Sequence, residues 1–127
     1  MIKKVIAHKG DKFTLEWYFN SKGKSTSFDY FNCLSLSQKK KLIHLFYLLG
    51  DIGKIFNKEK FRYEGNQVYA IKVSPDRFLC FFFKDAKVII TNAYKKQTSK
   101  MPQKEKELAL KAKKDYEKRC KEEVYYE

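Results

Sequence analysis

Basic and phenolic side chains gather near the ends of three predicted strands, between residues 72 and 100. Lys72 lies near the end of the first predicted strand and Arg77 opens the second; the third is followed by Tyr94, Lys95, Lys96, Thr98 and Lys100. Converging cations suit a phosphodiester, because a guanidinium can hold a phosphate through two hydrogen bonds. A lysine whose pKa is lowered by neighbouring positive charge could act as general base towards a ribose 2′-hydroxyl. Tyr94 could stack on a base or donate a proton.

The same side chains also have a plainer interpretation. The chain has 28 Lys and Arg against 15 Asp and Glu, a formal net charge of +13. Solvated surface lysines are therefore expected throughout, and composition and spacing alone favour that interpretation. So large an excess of positive charge still draws the protein to polyanions, with nucleic acid as the leading class of partner.

Other catalytic chemistry has little support in the sequence. His44 lies within an apolar helical pattern, and His8 has no carboxylate or cysteine near it in sequence. The cysteines, Cys33, Cys80 and Cys120, form no Cys-x-x-Cys pair, which argues against a zinc site or a disulfide framework and favours a reducing cytoplasm. Cys80 is expected to be a buried apolar residue. With no glycine-rich phosphate loop or nucleophile elbow, we expect neither a metal nor another cofactor.

Three strands must position the basic cluster. Hydrophobic runs predict them at Val68 to Val73, Arg77 to Phe83 and Lys87 to Ala93. The links between them are short, so the strands should form an antiparallel meander. Lys72, Arg77 and either Lys95 or Lys96 are then expected to converge at one end of the sheet. The middle strand is apolar on both faces, which predicts a central position covered on both sides.

The N-terminal half is predicted to add one strand and two helices. Aromatic alternation indicates a strand from Lys12 to Phe19. Ser35 and Gln38 have capping-box spacing at the start of an apolar helix, and Gly50 suits its end. A short second helix is predicted around residues 52–56. Residues 21–27 are expected to form a polar turn.

Three lysines, Lys39, Lys40 and Lys41, lie in the first turns of the predicted apolar helix. Positive charge near a helix N-terminus opposes the helix dipole by roughly 0.3–1 kcal/mol per residue. Either solubility or the binding of an anion could account for these residues, and solubility is the favoured explanation.

The C-terminal part is predicted to be a basic helix. Pro102 suits its first position, the helix should reach about Glu123, and its apolar stripe is Leu108, Ala112 and Tyr116. The fold class is therefore α+β, with a small antiparallel sheet (a C-terminal three-strand meander plus an N-terminal strand) packed by helices. The length of 127 residues predicts a single domain over residues 1–127.

A membrane-spanning or secreted protein is not expected. The longest apolar run is Phe78 to Phe83, far short of the roughly 20 residues that a membrane helix requires. The first eight residues, Met1 to His8, carry positive charge without a sustained apolar segment, which disfavours a secretory signal.

The stretch from Val68 to Glu117 resembles the phage-derived HigB-like branch of the RelE/ParE superfamily of toxins from toxin–antitoxin pairs. In that branch an arginine opens an aromatic strand, and the next strand ends in an aromatic residue with paired lysines. A Thr-x-Lys-x-Pro segment then precedes a helix. The matching residues here are Arg77, Tyr94, Lys95, Lys96, Thr98, Lys100, Pro102, Ala109 and Asp115.

The resemblance implies a RelE-like fold and a ribosome-dependent endoribonuclease that cleaves translated mRNA without a metal. It also implies a small helix-turn-helix antitoxin as partner. Catalysis is then expected from Lys72, Arg77 and Lys96, and RNA binding from Tyr94, Lys95, Thr98 and Lys100. The C-terminal tyrosine that some members use has no clear counterpart, and Tyr94 or Tyr116 could take its place.

Two rival functions remain open. A ParE-like toxin shares the fold but inhibits DNA gyrase and cleaves nothing. A catalytically silent basic module would bind RNA or a protein through charge and aromatic side chains. The clustered cations favour RNA cleavage, because a toxin that only binds a protein has no need of a cationic active centre.

Overall fold

Six strands form one mixed sheet, and helices cover both of its faces. The computed structural model describes residues 5–127. The strands are β1 (Ile6–Lys9), β2 (Thr14–Trp17), β3 (Phe61–Gly65), β4 (Val68–Val73), β5 (Asp76–Phe83) and β6 (Lys87–Lys95). Their order is β1-β2-β6-β5-β4-β3, and β2 pairs with β6 in parallel while the other pairs are antiparallel.

The α+β class is confirmed, but the sheet is larger than predicted. It has six strands rather than four, since β1 and β3 extend its two edges. It is also mixed rather than purely antiparallel, because the predicted N-terminal strand, β2, returns to β6 in parallel. Residues 1–4, part of the segment in which no secretory signal is predicted, lie outside the described residues.

The meander of β4, β5 and β6 forms as predicted, with β5 between the other two strands. Side chains alternate across β5: Phe78 and Cys80 enter one core, while Leu79 and Phe81 enter cores on the opposite face. All four are at most 1% exposed, so β5 is covered on both faces, as predicted. Burial also raises the pKa of the Cys80 thiol, in keeping with an inert core residue.

Two helices cover one face of the sheet. They are α1 (Thr26–Asn32) and α2 (Leu36–Tyr47), and α2 continues into a π-helical turn over Leu48–Ile52. As predicted, Ser35 caps α2 by accepting a hydrogen bond from the backbone N–H of Gln38 at 3.2 Å. The helical path ends at Gly53, whose φ of 90° favours glycine, rather than at Gly50. The prediction of a helix over residues 52–56 is wrong, and so is that of a turn as far as residue 27, because α1 begins within it.

The third helix, α3 (Gln103–Lys121), covers the opposite face, which confirms the predicted C-terminal helix. Pro102 is the residue before the helix rather than its first residue, and the helix ends at Lys121 rather than near Glu123. Its buried residues are Ala109, Ala112 and Tyr116, whereas Leu108 is 44% exposed and lies outside the expected stripe. Within residues 5–127 no helix is both long and apolar enough to cross a membrane.

A β-bulge at Thr91 reverses which residues of β6 face α3. Register shifts there, because Cys80 pairs with Ile90 while Leu79 pairs with Asn92. Ile90 packs in the core beneath α1 and α2, and two residues later Asn92 points to the other side, where its amide donates to the backbone oxygen of Glu105 at 3.1 Å. The extra residue at Thr91 therefore reverses the faces to which the side chains after it point.

Candidate active site

A row of three side chains crosses the sheet where β4 ends and β5 begins. Lys72 pairs with Arg77, and Arg77 pairs with Tyr94, so their side chains are neighbours on one face. This is the face covered further along by α3. The three side chains line a cavity of about 180 Å³, together with Arg62, Glu64, Lys96, Lys100 and Met101.

The cavity contains most of the predicted site residues and excludes two. Lys72, Arg77 and Lys96 come together as the meander topology predicted, with Lys100 beside them. Their roles in catalysis stay predictions. Lys95 was one of two alternatives and does not line the cavity; it pairs with Asp76, whose side chain faces α1 and α2. Thr98 is also outside it, exposed and bonded to the backbone oxygen of Lys100 at 2.8 Å.

Positive charge dominates the cavity electrostatics. Five cations line it, and Glu64 is the one carboxylate among the lining residues that the structure describes. Desolvation lowers the pKa of Lys72, and the nearby charges of Arg77, Arg62 and Lys96 lower it further, while Glu64 acts in the opposite direction. Lys72 therefore loses its proton more readily than an ordinary lysine.

Arg77 is held more firmly than a surface arginine. It is 8% exposed, and its guanidinium donates to the carbonyl oxygen of Asp76 at 3.1 Å. A guanidinium has five N–H donors in a fixed plane, so other donors are left for a ligand that enters the cavity. The arrangement suits a phosphate oxygen, which accepts such hydrogen bonds strongly.

The two tyrosines considered as acids or stacking residues differ in position. Tyr94 lines the cavity, but it is 7% exposed and packs with Leu79 and Ala109, which leaves no ring face for a base. Burial raises its pKa, so the hydroxyl keeps its proton at neutral pH. Tyr116 is fully buried and bonds to the Tyr126 hydroxyl at 2.5 Å, so its suggested part in the site is wrong.

The turn between β4 and β5 ties the cavity residues to the opposite side of the sheet. Gln38 of α2 donates to the carbonyl oxygen of Val73 and to the carboxylate of Asp76, each at 2.9 Å. Tyr30 of α1 donates to the same carboxylate at 2.5 Å. On the cavity side, the backbone N–H of Lys96 donates to the carbonyl oxygen of Pro75 at 2.8 Å. Helices α1 and α2 thus fix the turn that carries Arg77 and adjoins Lys96.

Two cavity residues were not predicted from the sequence. Arg62 and Glu64 come from β3, the edge strand that was not predicted, and Arg62 pairs with Ala70 of β4. Their spacing of two residues, which places both on one face of a strand, is the signal that could have found them. It becomes informative once β3 is known to pair with β4.

The remaining candidate groups lie elsewhere. His8 does have a carboxylate partner, since its Nε2 lies 2.7 Å from Oδ1 of Asp51, although neither lines the cavity. His44 is exposed on α2 and stacks with Tyr47. In the part of the chain that the structure describes, no three His, Cys, Asp or Glu side chains are grouped as metal ligands.

Comparison with known proteins identifies a family for most of the chain. Residues 29–114 match the family described as "Phage derived protein Gp49-like (DUF891)". The match runs from α1 into α3 and includes every residue that lines the cavity. No curated protein matches the chain. The chain belongs to the Gp49-like family of phage-derived proteins, a RelE- and HigB-like family associated with the toxins of toxin–antitoxin systems.

Proposed function

We propose that this protein is a toxin that cleaves translated mRNA on the ribosome and so stops protein synthesis. The observation that carries the proposal is the cavity in which Lys72, with its lowered pKa, lies beside Arg77 and Lys96. A partner-binding surface needs neither a half-buried lysine nor a nearly buried arginine in a concave site. RNA cleavage uses both.

In the proposed reaction, the neutral amine of Lys72 takes the proton from a ribose 2′-hydroxyl. The 2′-oxygen attacks the adjacent phosphorus, the bond from phosphorus to the 5′-oxygen breaks, and that oxygen leaves with a proton. The products are a 2′,3′-cyclic phosphate and a 5′-hydroxyl end. Arg77 and Lys96 would stabilise the extra negative charge on phosphorus, and each such donor is typically worth about 2.7–4 kcal/mol in the transition state.

The proton for the leaving 5′-oxygen has a candidate donor in Tyr94, which lines the cavity and whose pKa burial raises. Tyr94 acts by proton donation in this scheme, since its ring is packed. The reaction needs no metal ion, and the ribosome would hold the message in position.

We also propose a protein partner and a place of action for this toxin. A small helix-turn-helix antitoxin would neutralise the toxin by covering its basic face, and the toxin would act in the cytoplasm, where translating ribosomes are found. An antitoxin whose footprint leaves the cavity open would contradict simple occlusion.

The test is induced expression in a bacterial host with mapping of RNA 5′ ends. Wild type, Arg77→Ala and Lys22→Ala are compared, and Lys22 is an exposed lysine that does not line the cavity. We expect codon-phased cuts in translated messages for wild type and Lys22→Ala, and their loss in Arg77→Ala. Circular dichroism of the purified variants checks that both remain folded.

The other possible results of this experiment separate the rival functions. Growth arrest without cuts would replace RNA cleavage with a gyrase-type target. No arrest and no cuts would indicate a binding module without catalysis. Cuts that persist in a folded Arg77→Ala variant would remove Arg77 from the site.

A further inference from the structure

Glu64 carries a negative charge in a cavity whose other charged side chains are all cations. It is half-buried and lines the cavity together with Arg62, Lys72, Arg77 and Lys96. Among residues 5–127 its carboxylate forms no ion pair with any of them. A carboxylate repels a phosphate, so its presence weakens a site that binds phosphate alone. It suits a part of the substrate that offers hydrogen-bond donors.

The local structure fixes the backbone of Glu64 at the edge of the cavity. The pairing of β3 with β4 shifts register between Tyr63 and Gly65, so Glu64 is the extra residue of a β-bulge. Such bulges commonly redirect a side chain beside an active site. From α3, the ammonium of Lys106 donates to the backbone oxygen of Glu64 at 2.9 Å. Both the sheet and α3 therefore position this carboxylate.

The order of the strands places the cavity residues in the order of the parts of a nucleotide. Arg77 is on β5, Lys72 is on β4, and Glu64 is on β3, the neighbour of β4 on the side away from β5. In the proposed reaction Arg77 contacts the scissile phosphate, and Lys72 contacts the 2′-hydroxyl of the ribose on its 5′ side. The base of that ribose can then extend towards β3, where Glu64 meets it.

The cavity also offers contacts for the face of a base. Met101 lines it and is half-buried, and a flexible thioether packs well against a planar ring. Arg62 is exposed beside Glu64, and a guanidinium plane can stack on a base. These two side chains supply the stacking that the packed ring of Tyr94 does not provide.

A carboxylate distinguishes the four bases by the donors on their Watson–Crick edges. Guanine presents two adjacent N–H donors, at N1 and N2, which match the two carboxylate oxygens. Adenine and cytosine each present one amino donor beside an unprotonated ring nitrogen. Uracil presents one N–H between two carbonyl oxygens. Because these acceptors repel a carboxylate, guanine is the best match.

We propose that Glu64 binds the Watson–Crick edge of a guanine on the 5′ side of the scissile phosphate, so that the protein cuts preferentially after guanine. The inference rests on the proposed function, because it assigns the base of the nucleotide whose 2′-oxygen attacks. It gives the carboxylate of the cavity a direct contact with the substrate.

The experiment measures single-turnover cleavage on ribosomes programmed with messages in which each position of the decoded codon is varied through the four bases. Wild type, Glu64→Gln and Glu107→Gln are compared, and Glu107 is an exposed carboxylate of α3 that does not line the cavity. We expect wild type and Glu107→Gln to cut after guanine roughly 5- to 100-fold faster than after adenine. Glu64→Gln should lose this preference, because an amide presents one acceptor and one donor and so matches adenine or cytosine.

The ratio of the two rates isolates base recognition from the effect of Glu64 on Lys72. Loss of the Glu64 charge also favours deprotonation of Lys72, but that change acts equally on every message and cancels in the ratio. A general fall in rate with an unchanged ratio would instead place Glu64 in proton transfer and overturn its role in recognition.

Two further results would overturn the inference. They are equal cutting after guanine and adenine by wild type, and a guanine preference that persists in Glu64→Gln. Binding of guanosine and adenosine 3′-monophosphates to the purified proteins, followed by NMR titration, gives a readout that needs no cleavage. A guanosine preference that depends on Glu64, without cuts, refutes cleavage alone. Cuts without a guanine preference refute guanine recognition alone, and absence of both refutes both proposals.

Discussion

The side-chain amide of Gln38 donates to the buried carboxylate of Asp76 at 2.9 Å, across from the cavity that the next residue, Arg77, enters. Asp76 is 6% exposed, and its partners come from helices on the far face of the sheet. Arg77 in turn donates to the backbone oxygen of Asp76. The orientation of the cavity arginine therefore depends on residues that never touch the cavity.

We predict that Gln38→Ala lowers both stability and cleavage. Asp76 would keep only the hydrogen bond from Tyr30, and the carbonyl oxygen of Val73 would lose its bond from Gln38. Loss of a partner from such buried groups costs about 1–3 kcal/mol. A shift of the turn should lower kcat about tenfold, less than the ~100-fold that a 1 Å misplacement can cause. Urea unfolding and cleavage on programmed ribosomes measure the two effects. Gln103→Ala, an exposed change on α3, is the control. An unchanged kcat in a destabilised Gln38→Ala protein would show that the hydrogen bonds of Gln38 stabilise the fold but do not position the cavity residues.

Two variants should shift the pH dependence of cleavage in opposite directions. A general base must be unprotonated, so the rate should rise with pH towards the pKa of Lys72, which desolvation and neighbouring cations hold below 10.5. Arg62→Gln removes one of those cations, raises the pKa and moves the rising limb to higher pH. Glu64→Gln removes the charge that supports protonation and moves the limb to lower pH. Rate profiles of single-turnover cleavage test this, and a limb that stays in place in both variants would exclude Lys72 as the base.

Deletion of Thr91 should exchange the faces of the residues that follow it. Without the bulge, Tyr94 and Lys96 would turn away from the cavity and Lys95 would turn towards it. We expect cleavage to fall to the level of Lys96→Ala. Thr91→Ala keeps the extra residue and removes the hydroxyl, which donates to the backbone oxygen of Leu79 at 3.2 Å, so it should retain cleavage. Circular dichroism checks that the sheet survives the deletion, and full activity of a folded deletion variant would contradict the assignment of Lys96.

Tyr126→Phe should destabilise the protein without changing cleavage. The Tyr126 hydroxyl donates to the carboxylate of Glu16 at 2.7 Å, and Glu16 is 5% exposed. The one cation paired with this carboxylate among the described residues is Lys87, whose Nζ lies 3.9 Å from Oε2 of Glu16. We expect a loss of about 1–3 kcal/mol in urea unfolding. Tyr63→Phe removes an exposed hydroxyl that accepts from the backbone of Gln67, and it should stay within about 0.5 kcal/mol of wild type. Equal losses in the two variants would show that burial of Glu16 is not the cause.

The meander and the α3 helix were predictable because their signals are local. Residues 68–95 alternate apolar strands with short turns, and each strand pairs with its neighbour in sequence. The central place of β5 follows from its apolar run, and Pro102 marks the start of α3. Convergence of Lys72 and Arg77 then follows from the topology alone.

The edge strands and α1 were not predictable from the same signals. Strand β3 alternates aromatic and charged residues over only four positions before Gly65, and β1 has only four residues, so both patterns are too short to mark a strand. The residues of α1 pack their aromatic rings against Trp17, which belongs to a different part of the chain. The site residues Arg62 and Glu64 were missed with the strand that carries them.

The choice between Lys95 and Lys96 depended on the bulge. Counting alternate residues from Ile90 would have placed Lys96 on the face of α1 and α2 and Lys95 in the cavity. The extra residue at Thr91 reverses that result, and nothing in the run from Val88 to Tyr94 marks it. The register of β6, and not the residue type, therefore decides that Lys96 rather than Lys95 lines the cavity.

The parallel pairing of β2 with β6 determines when the sheet can finish forming during synthesis of the chain. Thr14 pairs with Lys87, so β2 leaves the ribosome long before β6, its parallel partner, has been synthesised. Such distant pairing makes folding slow, because a long loop must close before the two strands can pair. Residues 125 and 126, which bond to Phe19 and Glu16, come later still. During its own synthesis the chain can pair β2 with β1 but leaves the other edge of β2 open until β6 emerges, and the cavity residue Lys96 directly follows β6.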